Sequence, residues 1–113
     1  MVDDLKKVLV TGGAGFVGSN LVKELIKKGE EVIVFDNGFR QKFSNLDEVN
    51  GKCHLIKGDI AQKEDWKQIP KDIDLVYHLA AINGTKYFYE IPEQVLKVNV
   101  NGTMNFVEWL HNS

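Results

Sequence analysis

The amino-acid sequence predicts an α/β fold in which a parallel β-sheet is flanked by helices. Short apolar runs rich in β-branched residues alternate with segments of helical periodicity, and this alternation is typical of parallel strands joined by crossover helices. The first strand candidate is apolar at consecutive positions, which indicates burial on both faces of a sheet, and the second is also predicted to be buried. Because the chain has 113 residues, about the length of one domain, we expect residues 1–113 to form a single domain.

The first half of the chain is predicted to fold as strand, helix and strand. The strands cover residues 7–11 and 31–35, and the helix between them covers residues 15–28 and ends before Gly29. The apolar positions of this helix are expected to lie on one face and to pack against the sheet: Val17, Leu21, Leu25 and Ile26.

The second half is predicted to add two strands and three helical segments. The strands cover residues 53–57 and 75–79. Two of the helical segments are helices over residues 62–69 and 92–110, and the last of them follows a loop rich in aromatic residues. The other is one or two helical turns at residues 43–50, within the loop before the third strand. Right-handed crossovers would then give a Rossmann-like sheet with the strand order 3-2-1-4 and helices on both faces.

Composition argues against several classes of protein. Lys and Arg number 14 against 16 Asp and Glu, so there is no basic excess for binding nucleic acid. No apolar run approaches the roughly 18 residues that span a membrane, and the first ten residues lack the apolar core of a signal peptide. Cys53 is the single cysteine, which excludes an internal disulfide and a multi-cysteine metal site, and we expect a cytoplasmic location.

A glycine-rich segment, T-G-G-A-G-F-V-G at residues 11–18, joins the first strand to the first helix. It contains two overlapping patterns, Gly13-x-Gly15-x-x-Gly18 and Gly12-x-x-Gly15-x-x-Gly18. Between a strand and a helix, such a pattern indicates a site for the pyrophosphate of a dinucleotide, because glycines allow the sharp turn and the close approach of the phosphates. Amide groups and the dipole at the helix start would bind the anion. A glycine-rich turn without a ligand is the alternative.

Asp36 follows the second strand at about the distance, roughly 20 residues after the last glycine, that a ribose-binding acid requires. Its carboxylate would accept a hydrogen bond from the 2′-hydroxyl and repel a 2′-phosphate, so NAD is favoured over NADP. Arg40 complicates this prediction, because an arginine there could bind a 2′-phosphate, lie over the adenine or be solvated. The alternative for Asp36 is an ordinary turn residue at a strand end.

The sequence resembles the extended short-chain dehydrogenase/reductase family, whose best-known members are NAD-dependent nucleotide-sugar epimerases and dehydratases. The matching segments are T-G-G-A-G-F-V-G-S-N-L at 11–21, V-F-D-N at 34–37, G-D-I at 58–60, V-Y-H-L-A-A at 76–81 and N-V-N-G-T-M-N at 99–105. They occur in the family's order and at its spacing over almost the whole chain.

The resemblance implies roles for positions in the glycine segment. Gly12, Gly15 and Gly18 would form the pyrophosphate loop. The backbone of Phe16 and Val17 would lie over the phosphates.

The resemblance also implies contacts to the adenosine end of the cofactor. Asp36 and Asn37 would contact the adenosine ribose. Asp59 and Ile60 would flank the adenine, and Asp59 would accept a hydrogen bond from its exocyclic amine.

The remaining implied positions follow the fourth strand or lie on the last helix. Leu79, Ala80 and Ala81 would pass close to the ribose and nicotinamide, where small residues give room. Asn99 is similar to the family's helix asparagine near the fourth strand, and its alternative is a polar residue that ties the loop to the helix. His78 is predicted to be a hydrogen-bonded structural histidine because no triad-like partner is evident.

The family's catalytic residues are not found in the sequence. They are a Ser or Thr after the fifth strand and a Tyr-x-x-x-Lys on the next helix, but none of Tyr77, Tyr87 and Tyr89 has a lysine four positions later. The resemblance therefore implies the N-terminal, cofactor-binding portion only, truncated before the fifth strand. We expect no sugar oxidation by this chain alone, because no base is positioned to take the hydroxyl proton.

The last helix is predicted to be apolar on two stripes. One stripe contains Val95, Val98, Gly102, Phe106 and Trp109, and the other contains Leu96, Val100, Thr103, Val107 and Leu110. One stripe can pack on the sheet and the other needs cover, so we expect a homodimer through helix 92–110 or through the open edge of strand 75–79. Cover by the loop at residues 82–91 is the alternative.

The sequence is compatible with three hypotheses for function. The first is a module that binds NAD without chemistry. The second is part of a split or truncated nucleotide-sugar epimerase or dehydratase, which would accept a nucleotide sugar only when a C-terminal portion is supplied. The third is an oligomeric interaction domain whose nucleotide site is unused.

Overall fold

The computed structural model describes residues 6–38, 43–49, 51–80, 93 and 97–112. Four strands are present in this part of the chain: β1 (Lys7–Thr11), β2 (Glu31–Asp36), β3 (His54–Lys57) and β4 (Leu75–His78). The helical elements are α1 (Phe16–Lys27), a first 3₁₀ helix (Phe43–Val49), a second 3₁₀ helix (Lys63–Gln68), a π-helical segment (Lys97–Asn101) and α2 (Gly102–His111), which continues from it.

The four strands form one parallel sheet in the order β3-β2-β1-β4, with β1 and β2 in the centre. Val10 of β1 is paired with Val34 of β2 on one side and with Tyr77 of β4 on the other. This arrangement confirms the predicted order 3-2-1-4. Because all strands run in the same direction, their carboxyl ends meet at one edge of the sheet, where ligands bind in folds of this class.

Element boundaries agree with the predictions to within one or two residues where they are described. β2 extends to Asp36, β3 begins at His54 and β4 ends at His78. The two short helical segments predicted in the middle of the chain are 3₁₀ helices. The start of the predicted helix 92–110 and the aromatic loop before it lie outside the described residues.

One face of the sheet packs against α1 and the first 3₁₀ helix. The buried side chains of this first core are Val8, Val10, Ala14, Val22, Leu25, Val32, Val34, Leu46 and Val49. The prediction that Val17 belongs to the buried face of α1 is wrong, because its side chain is 67% exposed. The line from Val22 to Leu25 faces the sheet, and Val17 lies roughly 110° around the helix from that line.

The opposite face packs against the second 3₁₀ helix and α2. The buried side chains of this second core are Leu9, Ile33, Phe35, Ile60, Trp66, Ile69 and Val98. Trp66 is its centre: the ring is 2% exposed, meets Phe35 edge-on at 5.1 Å, and lies 5.9 Å from Phe106 and 5.7 Å from Trp109. Helical elements therefore cover both faces of the sheet, as predicted.

The two stripes predicted for the last helix differ in exposure. Val98 and Gly102 of the first stripe are buried, and Phe106 and Trp109 are half-buried against the second core. The second stripe remains exposed over the described residues: Val100, Thr103, Val107 and Leu110. Val95 and Leu96 lie outside the described part of the chain. β4 is an edge strand of the described sheet and exposes Leu75 and Tyr77.

Candidate functional site

The turn after β1 needs glycine at two positions because of its backbone. Gly12 has a φ of +73°, and a Cβ there would lie 2.8 Å from the amide nitrogen of Ala80. A Cβ on Gly18 would lie 2.2 Å from the carbonyl oxygen of Gly12. The first glycine therefore allows the turn, and the last allows α1 to approach it.

Gly15 differs from these two glycines because the space beside it is open among the described residues. The nearest atom that an added Cβ would meet is the carbonyl oxygen of Gly12, at an ordinary contact distance of 3.4 Å. The packing of the described residues therefore does not require glycine at this position. A ligand that lies against the turn would require it.

The start of α1 has no side-chain cap. The amide of Ser19 donates to the carbonyl oxygen of Gly15 at 2.8 Å and forms the first bond of the helix. The amides of Phe16 and Val17 precede it, so the helix supplies no acceptor for them. With the positive end of the helix dipole, these amides favour an anion.

Asp36 lies at the carboxyl end of β2, beside the glycine turn. Its carboxylate accepts a hydrogen bond from the amide of Gly38 at 2.6 Å and another from the amide of Ala14 at 3.1 Å. Because each carboxylate oxygen has two lone pairs, the group can still accept hydrogen bonds from a ligand. Asn37 follows it and is exposed, whereas Arg40 lies outside the described residues.

The turn after β3 lies next to the end of β2, since the amide of Gly58 donates to the carbonyl oxygen of Asp36 at 3.1 Å. Asp59 is half-buried, and its carboxylate accepts from the amide of Ala61 at 2.8 Å. Ile60 is 5% exposed, and its side chain belongs to the second core. The candidate acid at position 59 is thus held within the same edge of the sheet as Asp36.

The chain leaving β4 is held against β1 by Thr11. The amide of Leu79 donates to the carbonyl oxygen of Thr11, and the amide of Ala80 donates to its hydroxyl, each at 3.1 Å. Ala80 therefore lies against Gly12, and a Cβ at Gly12 would collide with its amide nitrogen. Ala81 lies outside the described residues.

His78 has the structural hydrogen bond that the sequence predicted. Its Nδ1 lies 2.7 Å from the hydroxyl oxygen of Thr11, and its ring is stacked on Phe106 at a centroid distance of 4.4 Å. Burial lowers the pKa of His78 below its ordinary value of 6.5, because the charged ring would lose solvation. A neutral ring near pH 7 fits a structural role.

Asn99 lies on the π-helical segment before α2 and is half-buried. Its carbonyl oxygen accepts a hydrogen bond from the hydroxyl of Thr103 at 2.8 Å. π-helical turns are rare and are frequent at functional sites, so the segment is compatible with the predicted role of Asn99.

Sequence reasoning missed the hydroxyl of Thr11, which is fully buried and connects the ends of β1 and β4. A threonine at the end of an apolar strand, directly before glycines, is the only local signal for it. Within the described part of the chain, no three His, Cys, Asp or Glu residues are grouped as metal ligands, and no helix is long and apolar enough to cross a membrane.

Comparison with known proteins identifies relatives of this chain. A family described as NAD-dependent epimerase/dehydratase matches residues 8–113. The chain is 37% identical over 103 residues to a UDP-N-acetyl-alpha-D-glucosaminuronate decarboxylase of Bacillus cytotoxicus, with 91% of this chain and 32% of that protein covered.

Solved structures with similar folds include an epimerase of Methanothermobacter thermautotrophicus, with a TM-score of 0.86 and 41% identity over 94% of this chain and 32% of that one. The UDP-glucose 4-epimerase of Thermus thermophilus, solved in complex with NAD, gives a TM-score of 0.81 and 34% identity over 91% of this chain and 33% of that one. The chain thus spans about a third of the length of these relatives. From its glycine turn, its sheet order and these matches, the chain belongs to the NAD-dependent epimerase/dehydratase family.

Proposed function

We propose that residues 1–113 form one domain that supplies the NAD-binding part of a nucleotide-sugar epimerase or dehydratase. The observation that carries this proposal is the space beside Gly15, which the described residues leave open at the uncapped start of α1, next to the carboxylate of Asp36. Family membership and a related structure containing NAD support it. When bound, NAD would accept a hydride from a sugar carbon.

The pyrophosphate would be bound by main-chain groups. The amides of Phe16 and Val17 would donate to its oxygens, and the absent Cβ of Gly15 would let the phosphates approach the turn. The dipole of α1 adds a favourable field at the same point, so no lysine is needed.

Asp36 would select NAD over NADP. Its carboxylate would accept hydrogen bonds from the adenosine ribose, with Asn37 beside it. The glycine turn already orients the carboxylate, because the amide of Ala14 donates to it. A 2′-phosphate would bring a second negative charge within a few ångströms of this carboxylate, which would weaken NADP binding.

The other predicted contacts remain part of the same proposal. One oxygen of Asp59 is used by the amide of Ala61, and the other would accept from the adenine amine. Leu79 and Ala80, followed by Ala81, would pass along the ribose and nicotinamide. We also propose the predicted cofactor contacts at Ile60, Arg40 and Asn99.

Catalysis would depend on residues other than those of this domain. Because no tyrosine in residues 1–113 has a lysine four positions later, we propose that the proton-transferring pair lies outside them. The domain itself would then contribute cofactor binding and orientation. Activity on a nucleotide sugar would require the residues that supply that pair.

Removal of the Asp36 carboxylate should abolish discrimination between NAD and NADP. In calorimetric titrations we expect wild type to bind NAD roughly 10- to 100-fold more tightly than NADP. Asp36→Ala should bind NAD roughly tenfold less tightly than wild type, as expected for the loss of hydrogen bonds to a charged group, and should lose the preference. ADP-ribose should follow NAD, because it keeps the pyrophosphate and the adenosine ribose that the glycine turn and Asp36 would bind.

Asp47→Ala is the matched control for that titration. Asp47 is an exposed carboxylate on the first 3₁₀ helix, and its removal should change neither affinity nor preference. Circular dichroism of each variant checks that the fold is intact. Absence of binding to NAD, NADP and ADP-ribose by wild type would contradict the proposal and favour an interaction domain with an unused nucleotide site.

We further propose that a second copy of the chain covers the exposed stripe of α2 or the edge of β4. A groove of about 290 Å³ lies between these two elements and is lined by Ile73, Asp74, Leu75, Val76, Phe106, Trp109 and Leu110. Light scattering at micromolar concentration should give the mass of two chains, and Val107→Glu, which places a charge on the stripe, should shift the mass toward one chain. A wild-type mass of one chain would refute this.

A further inference from the structure

The carbonyl oxygen of Ile60 accepts hydrogen bonds from two side chains on different elements. Nε1 of Trp66, on the second 3₁₀ helix, donates to it at 2.8 Å. Nδ2 of Asn105, on α2 and 45 residues farther along the chain, donates to it at 2.9 Å. A carbonyl oxygen has two lone pairs, so its hydrogen-bonding capacity is fully used.

The same peptide unit holds the carboxylate of Asp59. The carbonyl of Ile60 and the amide of Ala61 belong to one peptide bond, which is planar and rigid. The amide of Ala61 donates to Oδ1 of Asp59 at 2.8 Å. A rotation of this plane about its ends would therefore move the hydrogen-bond donor that orients Asp59.

The rest of the turn is held by bonds that do not involve α2. The amide of Gly58 donates to the carbonyl oxygen of Asp36 at 3.1 Å, and the amide of Asp59 donates to Oδ2 of Asp65 at 2.9 Å. These bonds fix where the turn begins. The bonds to the Ile60 carbonyl fix the orientation of the next peptide plane, on which the Asp59 carboxylate depends.

Gly102 allows α2 to reach this carbonyl. A Cβ at Gly102 would lie 2.3 Å from Cδ1 and 2.7 Å from Cγ1 of Ile60, so glycine lets the helix approach this side chain without displacing it. Asn105 lies three positions later, on the same side of the helix, and is half-buried beside the turn. The packing of Gly102 against Ile60 thus brings α2 close enough for the Asn105 amide to donate to the Ile60 carbonyl.

We propose that Asn105 is a positioning residue for the adenine end of the cofactor site, acting on the Asp59 carboxylate through the Ile60–Ala61 peptide. The proposal rests on the function proposed above, in which Asp59 accepts from the adenine amine. Trp66 donates the second hydrogen bond to the carbonyl of this peptide. Without Asn105, the Ile60 carbonyl accepts a hydrogen bond from Trp66 alone, so the Ile60–Ala61 peptide can rotate. The Asp59 oxygen that would accept from the adenine amine then no longer has a fixed direction.

AMP and IMP test this role directly, because IMP has a carbonyl where AMP has the exocyclic amine. In calorimetric titrations of the full chain, wild type should prefer AMP over IMP. Asn105→Ala should lower AMP affinity roughly tenfold, as for the loss of a hydrogen bond to a charged group, while IMP affinity changes less than about twofold. The ratio of the two affinities therefore reports orientation of Asp59, which a general loss of stability would not change selectively.

Asn112→Ala is the matched control, since it removes an exposed asparagine from the end of the same helix. It should keep the wild-type ratio of AMP to IMP affinity. If wild type prefers AMP and Asn105→Ala keeps the same ratio, the positioning role is wrong while the proposed function stands. If wild type binds neither nucleotide nor NAD, the proposed function is wrong and the positioning role is wrong with it.

Discussion

Trp66→Ala is expected to lower the free energy of unfolding by about 3–5 kcal/mol. The indole ring fills the centre of the second core, where it contacts Phe35, Phe106 and Trp109. Its removal leaves a cavity between the sheet and α2, and it also removes one donor from the carbonyl of Ile60. For a domain at the lower end of the usual 5–15 kcal/mol, only about 0–2 kcal/mol would remain, so up to roughly half of the variant molecules would be unfolded at 25 °C.

Urea denaturation followed by circular dichroism measures this loss, with equal slopes required for a direct comparison. Two variants separate its causes. Trp66→Phe keeps an aromatic ring but loses the donor, so it should cost about 1 kcal/mol from the hydrogen bond in addition to the smaller ring's packing loss. Trp109→Ala removes a half-buried indole and should cost less than Trp66→Ala. A loss below about 1 kcal/mol for Trp66→Ala would show that this core is not organised around Trp66.

Gly18→Ala is expected to lower stability by about 1–3 kcal/mol, and to abolish measurable NAD binding. A methyl group at this position would lie 2.2 Å from the carbonyl oxygen of Gly12, so α1 or the turn must move. Either movement displaces the amides of Phe16 and Val17 from the place where they would bind the pyrophosphate. Thermal unfolding and calorimetric titration with NAD measure the two effects.

Gly15→Ala is the control that separates packing from binding. Its φ of −73° and ψ of 177° suit any residue, and its Cβ would have only an ordinary contact. The gain from a less flexible unfolded chain and the loss from a poorer helix cap roughly cancel, so stability should change by less than about 1 kcal/mol. NAD binding should nevertheless fall strongly, because the methyl group occupies the open space. Unchanged NAD affinity for Gly15→Ala would place the pyrophosphate elsewhere.

The centre of the sheet could be predicted from the sequence because β1 and β2 are buried on both faces. Continuous apolar runs such as residues 32–35, separated by helical segments, favour a parallel order as the arrangement that buries them. The helix face was harder to predict, and Val17 was wrongly assigned to it. Both Val17 and Val22 are apolar, and only the approach of α1 to the sheet determines which of them is buried.

The glycine turn and Asp36 were predictable because their roles depend on local backbone geometry at fixed spacing. The contacts of Thr11 and Asn105 were not. Thr11 meets Ala80 across 69 positions of the chain, and Asn105 meets Ile60 across 45. No periodicity within one element reports such a pairing, since it exists only after the elements have packed.

The proposed anion site at the start of α1 has a consequence for how the protein tolerates mutation. Its donors are amides, which every residue except proline carries, and the side chain of Val17 extends mostly into solvent. Sequence drift at that position would leave the donors unchanged. Alanine at Phe16 or Val17 would therefore leave the anion site undetected, whereas proline at these positions, or a methyl group added at Gly15 or Gly18, would reveal it.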